Sequence, residues 1–422
     1  MEQLKNQFQL EVSKKFRRFD FHPVQRKLYS YDLSEPPKLL KRFLGIADVV
    51  IQPESKEEVY EILKIAKKYR MPVIPRGSAT SAYGGVLPYK GGIVVDFTRL
   101  NDFEVDEDKK LLISGAGVVW WDVQKELVKR GLSLRVYPTS APSSTVGGWI
   151  GQGGYGVGSL KYGSIAENVE WVEVVDFNGI GVKEPSKFVG LEGTTGLIVS
   201  AAIKLKDYDD DRALAFNVNI EDSIKLMSKS KAHTAFFYND KYVELLKETR
   251  SLKIDDGNIL LLTFESVSNT VSDGDEEVGE LLWQDRFYPF RMRKISNLIC
   301  VEVVLPIQKL IDFSKKIEKL PFIVMFSKTD ALILILLTVQ GEVKYSTWLQ
   351  TMKLIKIAEK YNGKVYSPGL WFSYKSDKLL SNFEVLRSYK REVDEYNLLN
   401  PGKIFPFGPI HRLIKLADLV VR

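Results

Sequence analysis

One stretch limits what this chain can fold into: Tyr137-Pro-Thr-Ser-Ala-Pro-Ser-Ser-Thr-Val-Gly-Gly-Trp-Ile-Gly-Gln-Gly-Gly-Tyr-Gly-Val-Gly-Ser-Leu-Lys-Tyr-Gly163. Glycine stands at Gly147, Gly148, Gly151, Gly153, Gly154, Gly156, Gly158 and Gly163, interleaved with hydroxyl residues. A chain gives up that much backbone freedom only against a ligand or a very close packing contact. Main-chain N–H groups with no Cβ in the way converge readily on an anion, and Thr139, Ser143, Ser144 and Thr145 add hydroxyl donors. The stretch therefore reads as the wall of a site for a phosphorylated cofactor.

The spelling Gly151-Gln-Gly-Gly-Tyr-Gly156 fits the GxGxxG dinucleotide fingerprint, and Asp176 ends the apolar run Val169 to Val175 where that fingerprint would want an acid. The context does not fit. A buried strand must lead into the first glycine and a helix must come directly after the last. Here Pro138 and Pro142 precede the first glycine, and Gly156, Gly158 and Gly163 break up the segment where the helix should stand, so a nicotinamide fold is set aside.

A chain of 422 residues has room for two cores, and 45% apolar with 27% charged residues is ordinary for a soluble globular protein. The net charge of +6 is spread along the chain, which favours an anionic substrate or surface and calls for no nucleic acid. Cys300 is the single cysteine, so no disulfide and no cysteine set for zinc or an iron–sulfur cluster is expected, and the expected location is cytoplasmic. The N-terminus shows no apolar signal core, and Ser327, Lys328 and Asp330 interrupt the most apolar stretch, Phe322 to Val339. No transmembrane segment is expected.

Residues 1–20 place Leu4, Phe8, Val12, Phe16 and Phe19 at helical spacing among lysines and arginines, a basic amphipathic helix that packs on the chain's own body or rests on a membrane surface. From Ala47 the pattern alternates. A strand at Ala47 to Ile51 precedes a helix at Ser55 to Tyr69, capped by Ser55 with Glu58 three residues on, and then a strand at Pro72 to Pro75. Arg76-Gly-Ser-Ala-Thr-Ser81 comes next as a second glycine and hydroxyl loop suited to phosphate oxygens. Further strands are expected at Gly92 to Phe97, Lys110 to Ser114, Val169 to Val175 and Ala201 to Leu205, with a helix at Trp120 to Arg130. The acidic run Asp207-Tyr-Asp-Asp-Asp211 marks a boundary, beyond which strands and helices continue with few glycines, as in a substrate or cap domain. The expected division is 1–45 for an N-terminal helical segment, 46–206 for a cofactor domain, 207–375 for the cap, and 376–422 for a segment returning to the first domain.

Six ordered stretches carry a resemblance to a known family. They are Pro72-Val-Ile-Pro-Arg-Gly-Ser-Ala-Thr-Ser81, Val95-Asp-Phe-Thr-Arg-Leu-Asn-Asp102, Ser114-Gly-Ala-Gly117, Ser144-Thr-Val-Gly-Gly148 with its downstream glycines, Val189-Gly-Leu-Glu-Gly-Thr-Thr-Gly-Leu-Ile198, and Asn400-Pro-Gly-Lys403. Together they resemble the FAD-dependent oxidoreductases of the vanillyl-alcohol oxidase and p-cresol methylhydroxylase (PCMH) type, in the D-lactate and glycolate dehydrogenase branch. The resemblance implies an α+β fold, with a PCMH-type two-subdomain FAD-binding domain and an α+β cap. It implies that Pro75, Arg76, Gly77, Ser78, Ala79, Thr80 and Ser81, with Thr145, Gly147 and Gly148, hold the pyrophosphate. By the same resemblance Pro138, Thr139, Ser140, Gly153, Gly154, Gly158 and Ser159 line the flavin, and Glu192, Gly193, Gly196 and Ile198 complete the site.

Three departures from the family pattern stand out. Ala79 stands where the family usually has glycine. Relatives often attach FAD through a histidine just after the first loop, but that neighbourhood reads Ala82-Tyr-Gly-Gly-Val-Leu87, so the expected flavin is non-covalent. The cap also lacks the histidines of the hydroxy-acid branch: only His22, His233 and His411 exist, and Asp255-Asp-Gly-Asn258 reads more simply as a turn. No metal is expected.

Oxidising a 2-hydroxy acid needs a cation for the carboxylate and a base for the hydroxyl proton. Trp283 to Arg293 concentrates Arg286, Arg291 and Arg293 among aromatics, and Arg286 is the candidate carboxylate holder. Tyr374, beside Trp371 and Phe372, is the candidate second catalytic residue, and the base stays unassigned. The C-terminal tail, with Ile410, Leu413, Ile414, Ala417 and Val421 on one face and Arg412, Lys415 and Arg422 around them, packs on its own domain or contacts a partner or membrane. The leading expectation is an FAD-dependent dehydrogenase of small 2-hydroxy acids passing electrons to a separate carrier, such as an iron–sulfur partner subunit. The alternatives are a flavin-bearing electron-transfer subunit and an oxidase of alcohols or sugar lactones.

Overall fold

The computed structural model describes residues 2–250, 252–265, 273–287, 297–339 and 343–421. Three sheets organise it. The first comprises β1 (Phe19–Asp20), β2 (Val49–Ile51), β3 (Val73–Arg76) and β4 (Ile93–Asp96) in the order β1-β2-β4-β3, with β2 and β3 parallel to β4. Parallel neighbours require a crossover, which the helix Lys56–Tyr69 supplies between β2 and β3. Ser55 caps that helix by accepting from the Glu58 N–H, while the Glu58 carboxylate accepts from Glu54 one residue further back. The N-terminal helix Glu2–Lys15 buries Phe8 and Val12 in the same core, with Lys15 paired to Glu61 at 2.6 Å. Phe8 and Val12 of its apolar face are thus spent on the chain's own body, while Leu4 stays exposed.

The second sheet holds β5 (Phe103–Asp106), β6 (Leu111–Gly115), β7 (Leu132–Leu134), β8 (Val169–Asp176), β9 (Gly179–Lys183) and β10 (Leu197–Asp207), in the order β5-β6-β10-β8-β9 with β7 also on β10. The glycine-rich stretch connects β7 to β8. Contrary to a purely irregular reading, its middle forms the helix Val146–Gln152, which Thr145 caps by accepting from the Gly148 N–H. Gly151 therefore lies inside a helix and no strand leads into it, which is why the dinucleotide spelling carries no dinucleotide fold.

The third sheet is antiparallel throughout: β11 (Arg212–Asn217), β12 (Thr234–Tyr238), β13 (Ile259–Phe264), β14 (Asn297–Pro306), β15 (Phe322–Phe326), β16 (Asp330–Val339) and β17 (Lys364–Val365), in the order β11-β13-β12-β15-β16-β14-β17. Side chains alternate between its faces. Phe237, Val324, Ile333 and Val303 share one core with the helices Leu310–Ile317 and Tyr345–Glu359. Phe236, Ile323, Leu334 and Val304 share another with Tyr137, Trp149 and Val157 of the glycine-rich stretch. The sheet is thus apolar on both faces, and one face looks at the cofactor domain.

The end of the chain returns to the first sheet. Leu399 bridges Val73 in parallel, the Asn400 side chain donates to the carbonyls of Gly85 and Glu192, and buried Lys403 donates to the Leu87 carbonyl. The last helix, Pro409–Val420, packs Ile410 and Ile414 into the cap core and its Asp418 lies 3.5 Å from Lys375. It leaves Leu413, Leu416 and Leu419 exposed; Arg422 lies outside the described residues. Among the described residues no helix is long and apolar enough to cross a membrane.

Candidate cofactor cleft and substrate cavity

A cleft with an envelope of about 890 Å³ opens where the two glycine loops meet. Pro75, Arg76, Gly77, Ser78, Ala79, Thr80 and Ser81 form one lip, and Ser140, Ser144, Thr145, Gly147 and Gly148 form the other. Glu192, Gly193 and Ile198 close the end, beside Gly85 and Leu197. The loops touch through Thr145: a Cβ built on Gly77 would lie 2.2 Å from its Oγ1, and one on Gly148 would lie 2.8 Å from the same atom. Only glycine allows this closure, and Ser78, Thr80, Ser81 and Ser140 bring hydroxyl residues to the lining.

Two buried polar atoms at the cleft lack a hydrogen-bond partner among the described residues, Ser144 Oγ and Glu192 Oε2. The other oxygen of Glu192 accepts from the Ser367 hydroxyl and the Gly369 N–H. Burial pushes the Glu192 carboxyl up, against the hydrogen bonds from Ser367 and Gly369. Arg76 turns its guanidinium to the carbonyl of Tyr31 at 2.7 Å. A donor-rich, glycine-closed cleft with unmet hydroxyl and carboxyl groups fits a long, phosphate-bearing cofactor.

Ala79 adopts φ +53°, a left-handed conformation natural to glycine.

Other expected cofactor residues lie elsewhere. Gly158 donates its N–H to Thr234 Oγ1 of β12 at 2.8 Å, and Ser159 Oγ accepts from Gly156, so both serve packing between the stretch and the cap. Gly154 approaches the Tyr366 hydroxyl so closely that a Cβ would lie 2.1 Å from it, Gly153 packs on Gly190, and Gly196 packs on Val174 and Phe188. Pro138 is buried at the head of a turn closed by the Ala141 N–H. These glycines are explained by close packing, the second of the two reasons that such a stretch exists.

A second cavity adjoins the first across a single loop: Ser140 lines the cleft while Thr139 lines the cavity. Its envelope is about 530 Å³, and its far wall is the inner face of the third sheet, with Phe236, Tyr238, Ile323, Met325, Leu332 and Leu334. Three polar side chains join them, Asp285, Arg286 and Glu302. Arg286 sits in an aromatic box, its guanidinium carbon 4.0 Å from the Trp283 ring centroid, 4.3 Å from Phe287 and 5.5 Å from Trp121. Its Nε donates to the Tyr137 hydroxyl at 3.2 Å, and no carboxylate among the described residues pairs with it. Arg291 and Arg293 lie outside the described residues.

Tyr374 is placed differently from the expectation. It belongs to the turn Ser373–Lys375 beneath the last helix, and burial and the neighbouring Asp418 push its phenol up. It lines neither the cleft nor the cavity, because the aromatic cluster around Trp371 serves the cap core. Glu302 was not singled out from the sequence, although a lone carboxylate inside the apolar run Ile299 to Leu305 is the signal that could have found it.

Comparison with known proteins fits this geometry. A family model described as an FAD binding domain matches residues 47–183. The glycolate oxidase subunit GlcD of Bacillus subtilis (strain 168) is 32% identical over 226 residues, 50% of this chain and 47% of that protein. The D-lactate dehydrogenase of Archaeoglobus fulgidus is 34% identical over 189 residues, 42% of each. The chain thus spans about half or less of the length of these relatives. A solved structure of alkyldihydroxyacetonephosphate synthase shares the fold over 94% of this chain and 86% of its own, with a TM-score of 0.75 at 19% identity. Residues 47–183 are thus similar to an FAD binding domain shared with these relatives, and FAD is the cofactor.

Proposed function

We propose that this protein is an FAD-dependent oxidoreductase that oxidises the CH–OH group of a 2-hydroxy acid and passes the electrons to a separate acceptor. The observation that carries this reading is Arg286, a guanidinium with no carboxylate partner among the described residues, on the wall of a cavity one residue away from the cofactor cleft. A cation in that position suits a substrate carboxylate, and the aromatic faces of Trp283 and Phe287 hold its plane. Pro75 to Ser81 and Thr145 to Gly148 would hold the FAD phosphates, and Glu192 would meet the cofactor through its free oxygen. Bound FAD supplies a two-electron acceptor for hydride. The apolar sheet face excludes water from the cavity, which strengthens the pairing of Arg286 with a carboxylate. The similarity to GlcD and to the D-lactate dehydrogenase supports the substrate class, and electron delivery to a partner subunit forms part of the same proposal.

The test is anaerobic reduction of the FAD-loaded protein by glycolate, D-lactate, longer 2-hydroxy acids, alditols and aldonolactones, read as flavin bleaching. Arg286→Ala is expected to lower the second-order rate of reduction by 2-hydroxy acids about 100-fold, as loss of a charge-assisted pair implies. Unchanged reduction by the variant would remove Arg286 from the site. Bleaching by alditols alone would replace the hydroxy-acid reading with an alcohol oxidase.

A further inference from the structure

The polar groups of the second cavity are unevenly answered. Asp285 is paired with Arg250 at 3.1 Å. Glu302 has no cationic partner among the described residues; the hydrogen bond that reaches it comes from the Tyr83 hydroxyl. Tyr83 lies just past the first phosphate loop, and Glu302 lies on β14 opposite Leu334 of β16. Alternation along β14 explains its direction: Val301, Val303 and Leu305 join the helix-covered core, so Glu302 turns toward the cofactor domain. Burial pushes its carboxyl above the usual carboxylate range, the direction that suits a base working near neutrality. No histidine competes for the role: His22 caps a surface helix, His233 pairs with Asp211 at 3.0 Å, and His411 bonds the Gly402 carbonyl. None of them lines this cavity.

The rest of the wall is mostly apolar, with the phenols of Tyr238 and Tyr242 among it. Beyond Thr139 and the three charged residues, the cavity is closed by Phe236, Leu246, Leu282, Ile323, Met325 and Leu334 together with other apolar and aromatic side chains. A substrate side chain longer than that of glycolate would meet this apolar surface. Each methylene placed there contributes about 0.8 kcal/mol, roughly fourfold in affinity.

We infer that the cavity takes a 2-hydroxy acid with a short aliphatic side chain, whose carboxylate meets Arg286 and whose hydroxyl proton passes to Glu302. The inference rests on the hydroxy-acid reading above and specifies its substrate class and its base. In the step, the substrate Cα–H bond breaks and its electron pair leaves as hydride to FAD. The O–H bond breaks and its proton goes to the Glu302 carboxylate. A C=O bond forms, leaving a 2-oxo acid oxidised by two electrons and FAD reduced by two. Tyr83 is a positioning residue that fixes the Glu302 carboxylate from the cofactor side.

The FAD-loaded protein is titrated calorimetrically with 4-methyl-2-oxopentanoate, 2-oxobutanoate, pyruvate and glyoxylate, and reduced anaerobically by both enantiomers of the matching 2-hydroxy acids and by glycolate. Affinity is expected to rise along the series from glyoxylate to 4-methyl-2-oxopentanoate by at least about 10-fold. Glu302→Gln is expected to slow flavin reduction by about 100-fold or more while binding of 4-methyl-2-oxopentanoate stays within about threefold. Tyr83→Phe should lower the reduction rate and leave that binding unchanged. Equal or tighter binding of glyoxylate and pyruvate overturns the aliphatic pocket while leaving the hydroxy-acid reading intact. Wild-type reduction by Glu302→Gln overturns the base. Graded binding of the oxo acids without flavin bleaching by any 2-hydroxy acid supports the pocket and overturns the oxidation together with the role of Glu302.

Discussion

Ala79 shows how one methyl group is held in place by its surroundings. Its φ of +53° costs an L residue about 1–2 kcal/mol, partly offset because alanine has less freedom to lose than glycine. Ala79→Gly is therefore expected to raise the unfolding free energy by about 0.5–1 kcal/mol, read from the denaturant midpoint at unchanged slope. A loss of stability would show that neighbouring contacts to the methyl group outweigh the strain. Arg286 and Glu302 belong to the same scale. Both were present in the sequence as ordinary charged residues, and the absence of a salt-bridge partner for either one among the described residues separates them from Asp285.

At the scale of elements, the cleft depends on two loops that close on Thr145. A Cβ at residue 77 would fall 2.2 Å from Thr145 Oγ1, a distance that forces the loops apart. Gly77→Ala should weaken FAD binding about 10-fold or more in a fluorescence titration while the far-ultraviolet circular dichroism is retained, as about 1–3 kcal/mol of overpacking strain implies. Wild-type affinity would mean the cleft widens at no cost to the cofactor. The glycines of the stretch divide between two tasks that their letters do not distinguish. Gly147 and Gly148 line the cleft, whereas Gly154 and Gly158 let the stretch approach Tyr366 and β12.

At the scale of the molecule, the cap is tied to the cofactor domain by Glu265. It lies just past β13 and receives Lys206 of β10 at 2.8 Å, the Tyr162 hydroxyl at 2.7 Å, and Lys161. Burial alone would raise its carboxyl, but the hydrogen bonds from Lys161, Lys206 and Tyr162 outweigh that effect and hold it at about 2. The folded value lies below the ordinary 4.5, so the stabilisation is complete above about pH 4.5 and is lost as pH falls toward 2. Thermal unfolding is expected to show a larger drop over that window for the native protein than for Glu265→Gln. Parallel acid profiles for the two would show that the clamp does not couple to stability.

The sequence by itself determined the parts that are local. The cap at Ser55, the glycine and hydroxyl loop at Arg76 to Ser81 and the alternation of strands come from short-range stereochemistry, which a string of residues carries in full, whereas the helix that Thr145 caps was not read from it. The strand β15 was hidden in the run Phe322 to Val339, because an apolar string does not say that Ser327 and Asp330 fold it into a hairpin. What only the tertiary structure decided is which distant residues share a cavity. Thr139, Arg286 and Glu302 come from three separate segments, and Tyr374 from a fourth that packs elsewhere. The physical reason is that a side chain's direction depends on strand register and on the sheet face turned inward, and both are set by the packing of the whole cap against the glycine-rich stretch.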